Sequence, residues 1–543
     1  MTMQPDARFE NFLRELPYPP TIPQLLAHRV QANPQGIGFV ARYGGKYMQF
    51  TFEDFDARTT ALAQRLVNES GVLPGDRVAW AFGNESGGAA IMIYHAALKA
   101  AAVNVPINTK LHAREVAEML DRSGASVFFY DSTIFADSAV SPAAEVRMIP
   151  TDVAGDPFPV EESAGLPLTE GPKGDDLASI LYTSGTTGKS KGVAHTHASS
   201  LASGFAWGSA FSLQESDLLQ TPFPIFSGGG LHFNGLGCLL GGATFLIDEA
   251  SDTDAALSRV EEFGSTVFAA VPSIYDYWLN SGNLGNRELS RLRLLDFGGA
   301  VMPQTTIAAL QKALPKVELV QTYGLTEAGP GGTYLAPQYA YSHAGSIGNR
   351  GAGDMEIRVI RDDGSDAEPE EVGELLLRGS SIMVGYFEDP EATASVFTGD
   401  WLRSGDLVRR DPEGFIYFVD RKKDIIVRGG YNISSVELED VLLEHPAVQE
   451  ASIFGTPHPS LGEVVAAAVV FRKGKEVDPE ELRQHFRTRV AAFKVPRTVL
   501  VMDEFPRNAG GKVLKWRLAE LAVQEQKEMT SGPVSSGRNA SWR

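Results

Sequence analysis

The chain has a single cysteine, Cys238, among 543 residues. One thiol excludes an intrachain disulfide and any Cys-rich metal cage. Within GLGCLLGG it reads as a small core residue. Basic residues are also in deficit: 48 Lys and Arg stand against 68 Asp and Glu, a net charge of −20. That balance argues against nucleic-acid binding, which needs clustered cations to replace counterions. It leaves room for an anionic small ligand, because backbone N–H groups and a few local cations suffice to hold phosphate. Long hydrophobic runs are missing too. The longest uncharged stretch, residues 218–247, contains Pro222, Pro224, several glycines, His232 and Asn234, and makes a poor membrane helix. The first residues, MTMQPDARFENFLREL, lack the basic start and apolar stretch of a signal peptide. The closing Ser-Trp-Arg is not the peroxisomal Ser-Lys-Leu address. A soluble cytoplasmic protein without membrane insertion is the expectation.

What is present is an ordinary globular balance, 43% hydrophobic and 21% charged. From 37 to 150 short apolar runs alternate with helical stretches: RVAWAF at 77–82, a helix over 87–101, a strand at 103–107, a helix over 111–122 and a strand at 127–130. Such alternation predicts a largely parallel sheet covered by helices. Residues 152–176, rich in Pro, Gly, Asp and Glu, read as a loop. Strands then recur at 180–183, 243–247, 267–271, 292–297 and 317–321, and hairpin-like strands occupy 352–419 between DDGSD and DPEG turns. After Asp420, helices at 435–445 and 478–490 alternate with strands at 450–454 and 464–471, a small α+β unit. The expected division is residues 1–420, 421–525 and a polar, disordered tail from 526.

The most informative stretch is YTSGTTGKSKGV at 182–193. Hydroxyl and glycine residues directly after a strand can bend tightly and aim several donors at phosphate oxygens. Gly188-Lys189-Ser190 tempts a Walker assignment, but the glycine required six positions before the lysine is Thr183. No Gly-x-Ser-x-Gly occurs for a serine hydrolase. GLGCLLG misses the third glycine of a dinucleotide fingerprint by one place.

This loop resembles that of the adenylate-forming superfamily: acyl-CoA synthetases, non-ribosomal adenylation domains and beetle luciferases. Five further motifs follow in that family's order: FGGA at 297–300, QTYGLTEAG at 321–329, WLRSGDL at 401–407, DRKKDIIVRGGYNISSVELE at 420–439 and PRNAGGKVLK at 506–515. The resemblance covers nearly the whole chain. It implies an α/β fold: a large N-terminal domain of stacked, mostly parallel sheets with a β-rich subdomain, carrying the acid and ATP site, and a small mobile α+β C-terminal domain. It also implies ATP, Mg²⁺ and coenzyme A alongside a small carboxylic acid, and leaves room for a homodimer.

Site residues carry over by position. The resemblance makes Thr183, Ser184, Gly185, Thr186, Thr187, Gly188 and Lys191 the phosphate loop. It makes Gly298, Gly299 and Ala300 the adenine-pocket strand end. Tyr323 and Gly324 lie against the base, with Thr326 toward the α-phosphate and Glu327 as a hard oxygen ligand for Mg²⁺. Asp406 and Arg421 meet the ribose, and Lys423 is the hinge about which the small domain swings. Gly429 and Gly430 border the pantetheine tunnel, although Gly-Gly also suits a plain turn. Lys512 is placed between the substrate carboxylate and the α-phosphate, where two anions meet and positive charge is needed.

Three positions depart from the family pattern: Ser190 stands where relatives carry Pro, Asn508 where they carry Thr, and Ser227 where many carry His or an aromatic at the carboxylate. Amino-acid-activating relatives place an Asp near Ser227 to pair the α-ammonium. FPIFSGGGLHFNGLG offers none, and an unpaired ammonium buried there would be costly. The expected acid is therefore apolar: aryl, alicyclic or fatty. Glycines at 228–230 and 329–332 suit either a wide pocket or turn chemistry. An acyl-AMP ligase serving a carrier protein carries an inserted apolar segment after the Thr-Glu element. The span 345–373 is too short for one, which favours free CoA. A luciferase-like oxygenase shares every motif and stays open.

Overall fold

The computed structural model describes residues 20–135, 140–158, 171–183, 190–249, 253–507 and 512–531. The chain forms two compact units, one of residues 1–404 and 409–417, the other of 405–408 and 418–543. It leaves the first unit inside two strands, Trp401–Arg410 and Ile416–Arg421.

The first unit holds two large sheets. In one, Thr244–Ile247, Leu218–Thr221, Val267–Ala270, Leu294–Gly298 and Glu318–Gly324 run parallel. Hairpin Ile37–Tyr43/Lys46–Thr51 extends one edge and the antiparallel strand Gly332–Leu335 the other. These central strands read as unbroken apolar runs because helices cover them. Leu295, Phe297 and Leu319 point to one face, against Tyr275 and Trp278 of helix Pro272–Ser281 and Ile307 and Leu310 of helix Gln304–Ala313. Leu294 and Val320 point to the other, into the main core with Trp80, Trp207 and Phe233.

The second sheet runs Gly385–Tyr386, Lys191–Thr196, Leu177–Thr183, Val103–Pro106, Arg77–Ala81, Ala125–Asp131, Arg147–Thr151. Its first two junctions are antiparallel and the others parallel. Helix Gly87–Lys99 is buried on nearly every side, which its glycines, alanines and apolar residues permit. A β-rich portion follows, with Glu356–Ile360 and Val372–Arg378 antiparallel. Cys238 is buried in the short helix Leu236–Gly241, as its apolar surroundings predict.

In the second unit, Val448–His458 and Gly462–Phe471 form a long antiparallel pair, and Thr498–Val501 joins parallel to the latter. Helices Ser435–Leu443 and Pro479–Arg487 start where Ser434 and Asp478 accept from Glu437 N and Glu480 N. Leu438, Leu442, Leu482 and Phe486 then reach the core. A further helix, Lys515–Ser531, runs past the point where composition suggested a polar tail. Leu518 and Ala522 anchor it on the sheet, and the helix continues into polar sequence. Among the described residues no helix is long and apolar enough to cross a membrane.

Candidate functional site

The phosphate-loop sequence joins two antiparallel strands. Leu177–Thr183 and Lys191–Thr196 pair so that Thr183 faces Lys191. Ser184, Gly185, Thr186, Thr187 and Gly188 fall outside the described residues. The stem is held from the side. Arg122 donates to Ser190 O and lies 6.0 Å from the Tyr182 ring. Lys191 is the last paired residue of the stem, its Nζ 4.5 Å from the centre of the Tyr386 ring.

Tyr386 belongs to the two-residue strand Gly385–Tyr386, which pairs with Val193 and Ala194 of the same hairpin. Its hydroxyl donates to Glu327 Oε1 at 3.0 Å. Burial, and then the neighbouring Glu327 charge, push the phenol well above its ordinary range. It therefore stays a neutral donor. One aromatic ring thus holds a lysine against its face and a carboxylate at its edge.

Glu327 sits in the 3₁₀ turn Thr326–Ala328 after strand Glu318–Gly324. That turn is pinned by Met383 N to Glu327 O (2.9 Å) and Ser381 Oγ to Ala328 O (2.7 Å). His195 Nε2–H donates to Thr326 O at 2.9 Å. Burial pushes His195 down to about 4, and its ring packs edge-on at 5.3 Å against His232, which bonds Ser179 at 3.1 Å. Both imidazoles are neutral braces under the turn. No group of three His, Cys, Asp or Glu gathers among the described residues. A single carboxylate is the wrong donor set for an all-protein metal cage. It suits Mg²⁺, which keeps water and phosphate oxygens and takes one or two carboxylates.

The neighbouring strand end, Leu294–Gly298, is tied to Glu318–Gly324 by Gln321, whose Nε2 donates to Phe297 O (3.0 Å) and Ala300 O (3.1 Å). A Cβ on Gly298 would lie 2.6 Å from Thr322 Oγ1, and Gly299 has φ +78°. A Cβ on Gly324 would lie 2.2 Å from Pro330 O. Glycine identity at 298, 299 and 324 thus follows from close packing and a left-handed turn. Tyr323 is half-buried beside them.

The other glycines divide. At Gly230, Gly329, Gly331 and Gly332 a Cβ would come within 2.6 Å of backbone oxygen, so these positions serve close chain packing. Gly228 and Gly229 leave ordinary contact distance. Ser227 turns its hydroxyl onto Pro224 O (2.7 Å) and accepts from Gly230 N (3.2 Å), starting the helical turn at Gly229–Gly235.

A second cluster lies in the other unit. Arg421 Nε is 3.4 Å from Asp406 Oδ1, and Lys422 N bonds Gly405 O at 2.9 Å. Lys512 directly precedes Val513, which bridges to Arg507. Asn508 lies outside the described residues. Desolvation by surrounding protein, then the positive charges of Arg421 and Lys423, push Lys512 down to about 8, although its side chain keeps access to solvent. Gly429 and Gly430, at φ +57° and +87°, form the two-residue turn between Ile426–Arg428 and Tyr431–Ile433.

Each unit therefore gathers its own set: Thr183, Lys191, Thr326 and Glu327 in the first, Asp406, Arg421, Lys423 and Lys512 in the second. Sequence reasoning passed over Tyr386 and His195. Tyr386 is 59 residues from Glu327 and carries no periodic signal; His195, two residues beyond the loop motif, was within reach.

The AMP-binding enzyme family model matches residues 26–387, and that of the AMP-binding enzyme C-terminal domain matches 437–512. A feruloyl-CoA synthase of Amycolatopsis sp. is 34% identical over 484 residues, 87% of this chain and 94% of its own. A long-chain-fatty-acid–CoA ligase of Mycobacterium tuberculosis is 34% identical over 472 residues, 86% of this chain and 92% of its own. Among solved structures, O-succinylbenzoate coenzyme A synthetase of Bacillus subtilis in complex with ATP and magnesium ion superposes with a TM-score of 0.78 at 29% identity. That match covers 91% of this chain and 98% of the other. The loop, the Thr-Glu turn and these matches together mean that the chain belongs to the AMP-binding enzyme family, in the acyl-CoA synthetase branch of the adenylate-forming superfamily.

Proposed function

We propose that the protein is a cytoplasmic, ATP-dependent carboxylic acid:CoA ligase acting on an apolar aryl, alicyclic or fatty acid through an acyl-adenylate. The observation that carries this reading is the Lys191–Tyr386–Glu327 arrangement beside the hairpin loop. It sets a cation for phosphate oxygens next to one carboxylate suited to a nucleotide-bound Mg²⁺. When bound, Mg²⁺ neutralises charge on the phosphates.

In the first half-reaction a carboxylate oxygen of the acid attacks the α-phosphorus of ATP, and the bond to pyrophosphate breaks. Thr326 is the hydroxyl donor toward the α-phosphate, and Lys191 with Thr183 and the loop hydroxyls holds the outgoing phosphates. Asp406 and Arg421 grip the ribose. Lys512 supplies positive charge where the two anions meet; at about 8 its ammonium is predominantly protonated at neutral pH. In the second half-reaction the CoA sulfur, its thiol proton released to solvent, attacks the acyl carbon, and AMP leaves with the electron pair of the broken acyl–oxygen bond. Lys423 is the pivot that exchanges one set of groups for the other, and Gly429 and Gly430 let the pantetheine chain pass close to the backbone.

The relatives' names support both an aromatic and a long-chain acid. A panel of carboxylic acids scored for pyrophosphate release, with and without CoA, tests the reading. Turnover of an apolar acid with CoA-dependent thioester is expected; ATP binding with no pyrophosphate from any acid would refute it.

A further inference from the structure

Strand Lys191–Thr196 carries the phosphate-loop lysine at one end and His195 near the other. Side chains alternate along a strand, and the register is regular over this stretch, so Lys191, Val193 and His195 share one face. Tyr386 stands opposite Val193 in its antiparallel pair, and opposed residues project to the same side. One face therefore presents Lys191, Tyr386 and His195 along a row about 13 Å long. Two of these three meet the turn Thr326–Ala328 at successive residues. His195 bonds the Thr326 backbone, and Tyr386 bonds the Glu327 carboxylate.

The turn presents three carbonyls in succession, and each accepts from a donor outside it. His195 Nε2 reaches Thr326 O at 2.9 Å, Met383 N reaches Glu327 O at 2.9 Å, and Ser381 Oγ reaches Ala328 O at 2.7 Å. Of these three donors only His195 belongs to the strand that carries Lys191. A carbonyl can only accept, so Nε2 holds the proton and Nδ1 is left as the acceptor, with Ser199 Oγ 3.4 Å away. The ring is fully buried and burial keeps it neutral, so its orientation and its tautomer are both set. Inside the turn Thr326 O also accepts from Gly329 N at 3.0 Å. Removing the imidazole donor would thus leave the turn formed, but its Thr326 end no longer tied to the lysine strand.

We infer that His195 is a positioning residue for adenylation: its Nε2–H holds the Thr326–Glu327 turn in register with Lys191, so that the hydroxyl for the α-phosphate and the carboxylate for Mg²⁺ face the phosphates that the lysine binds. The inference rests on the ligase reading. A sealed ring bonded to backbone offers no surface to a substrate, so its effect falls on rate and not on affinity for the acid. Misplacing reacting groups by about 1 Å costs roughly 100-fold in rate.

The experiment compares the full-length wild type with His195→Leu, His195→Asn and His195→Gln, each first checked for a cooperative melt. Leu fills much of the same space without a donor. Asn is polar but stops short of Thr326 O, whereas Gln brings an amide N–H to where Nε2–H stands. Pyrophosphate release with an acid the wild type uses, and thioester formation from synthetic acyl-adenylate plus CoA, are measured separately. Leu and Asn should lower kcat for adenylation by about 10- to 100-fold with little change in KM for the acid. Thioester formation uses Thr326 but not the Mg²⁺ carboxylate, so it should fall less. Gln should restore most of the adenylation rate. If Leu does not fold, the contrast between Asn and Gln decides the matter. Wild-type adenylation in Leu or Asn overturns the inference and leaves the ligase intact. An equal fall in both half-reactions, or a loss in Gln as deep as in Asn, overturns it as well, because a purely structural histidine would behave that way. No pyrophosphate from any acid with the wild type fails the ligase reading itself.

Discussion

Replacing Tyr386 by phenylalanine removes one oxygen and nothing else from the arrangement around Glu327. The ring stays, so Lys191 keeps the aromatic face 4.5 Å from its Nζ. What is lost is the 3.0 Å bond from the hydroxyl to Glu327 Oε1. A hydrogen bond to a charged acceptor contributes roughly 1.5–3 kcal/mol, and the lower part of that range applies because Glu327 is only half-buried and water can replace the donor. The variant should melt only slightly below the wild type. Adenylation is more exposed, because the hydroxyl fixes the direction of the carboxylate proposed to bind the metal. A loss of about 1.5–3 kcal/mol at the transition state is roughly a 10- to 100-fold fall in kcat/KM for pyrophosphate release. The half-saturating Mg²⁺ concentration should rise with it. Thioester formation from synthetic acyl-adenylate and CoA, which needs no Mg²⁺·ATP, should be nearly unaffected. A variant with the same fall in both half-reactions, or with unchanged Mg²⁺ dependence, would refute the assignment of Tyr386 as the residue that orients Glu327.

Lys512→Ala should reduce adenylation ~100-fold or more and leave thioester formation from supplied acyl-adenylate largely intact. Because its ammonium titrates at about 8, kcat/KM for adenylation should fall as pH rises through that value; Lys512→Arg should abolish that limb, and persistence of the limb would assign it elsewhere. Glu327→Gln keeps shape and removes the charge a hard cation prefers, so Mg²⁺ affinity and adenylation should drop together without unfolding. In the turn Arg421–Asp424, closed by Asp424 N to Arg421 O and Lys422 N to Gly405 O, those bonds do not use the Lys423 N–H. Lys423→Pro should therefore fold but slow CoA transfer more than adenylation, while Lys423→Ala slows neither; equal effects would move the pivot elsewhere. Asp296, fully buried on strand Leu294–Gly298, binds its proton more tightly folded than unfolded, so its contribution to stability falls as pH rises from the ordinary carboxylate range through about 8. Asp296→Asn should remove that fall, and its melting temperature should gain on the wild type more at pH 8.5 than at pH 5.

The reaction class was legible because its residues sit in short segments whose order survives in one dimension: TSGTTG, FGGA, YGLTE, the Asp420–Glu439 run and the loop before Lys512. The layered fold was legible because buried parallel strands are continuous apolar runs. What stayed hidden depends on contacts between distant segments. Tyr386 acts through a strand of two residues, too short for any period, and its partner is reached only by pairing with Val193. The glycines near 230 and 331 could equally mark a spacious pocket until backbone oxygens are seen within 2.6 Å of where a side chain would start. Asp296 reads as one polar residue in a strand, and only the packing of both faces makes it a buried acid whose Oδ2 has no partner among the described residues. The excursion of residues 405–408 into the second unit has no compositional mark, since the strand that carries them runs unbroken from Trp401 to Arg410. The last helix outruns its apolar face because its anchors, Leu518 and Ala522, lie near its start.

The most direct test of the two-step reaction is a single-turnover chase. Protein, Mg²⁺·ATP and an apolar acid that supports pyrophosphate release are mixed without CoA, the bound fraction is separated, and CoA is then added while products are followed by mass spectrometry. An acyl-adenylate close to stoichiometric with active sites should accumulate first, then convert to acyl-CoA with equimolar AMP. Acyl-CoA appearing with no adenylate beforehand, or an adenylate that CoA never discharges, would contradict the account.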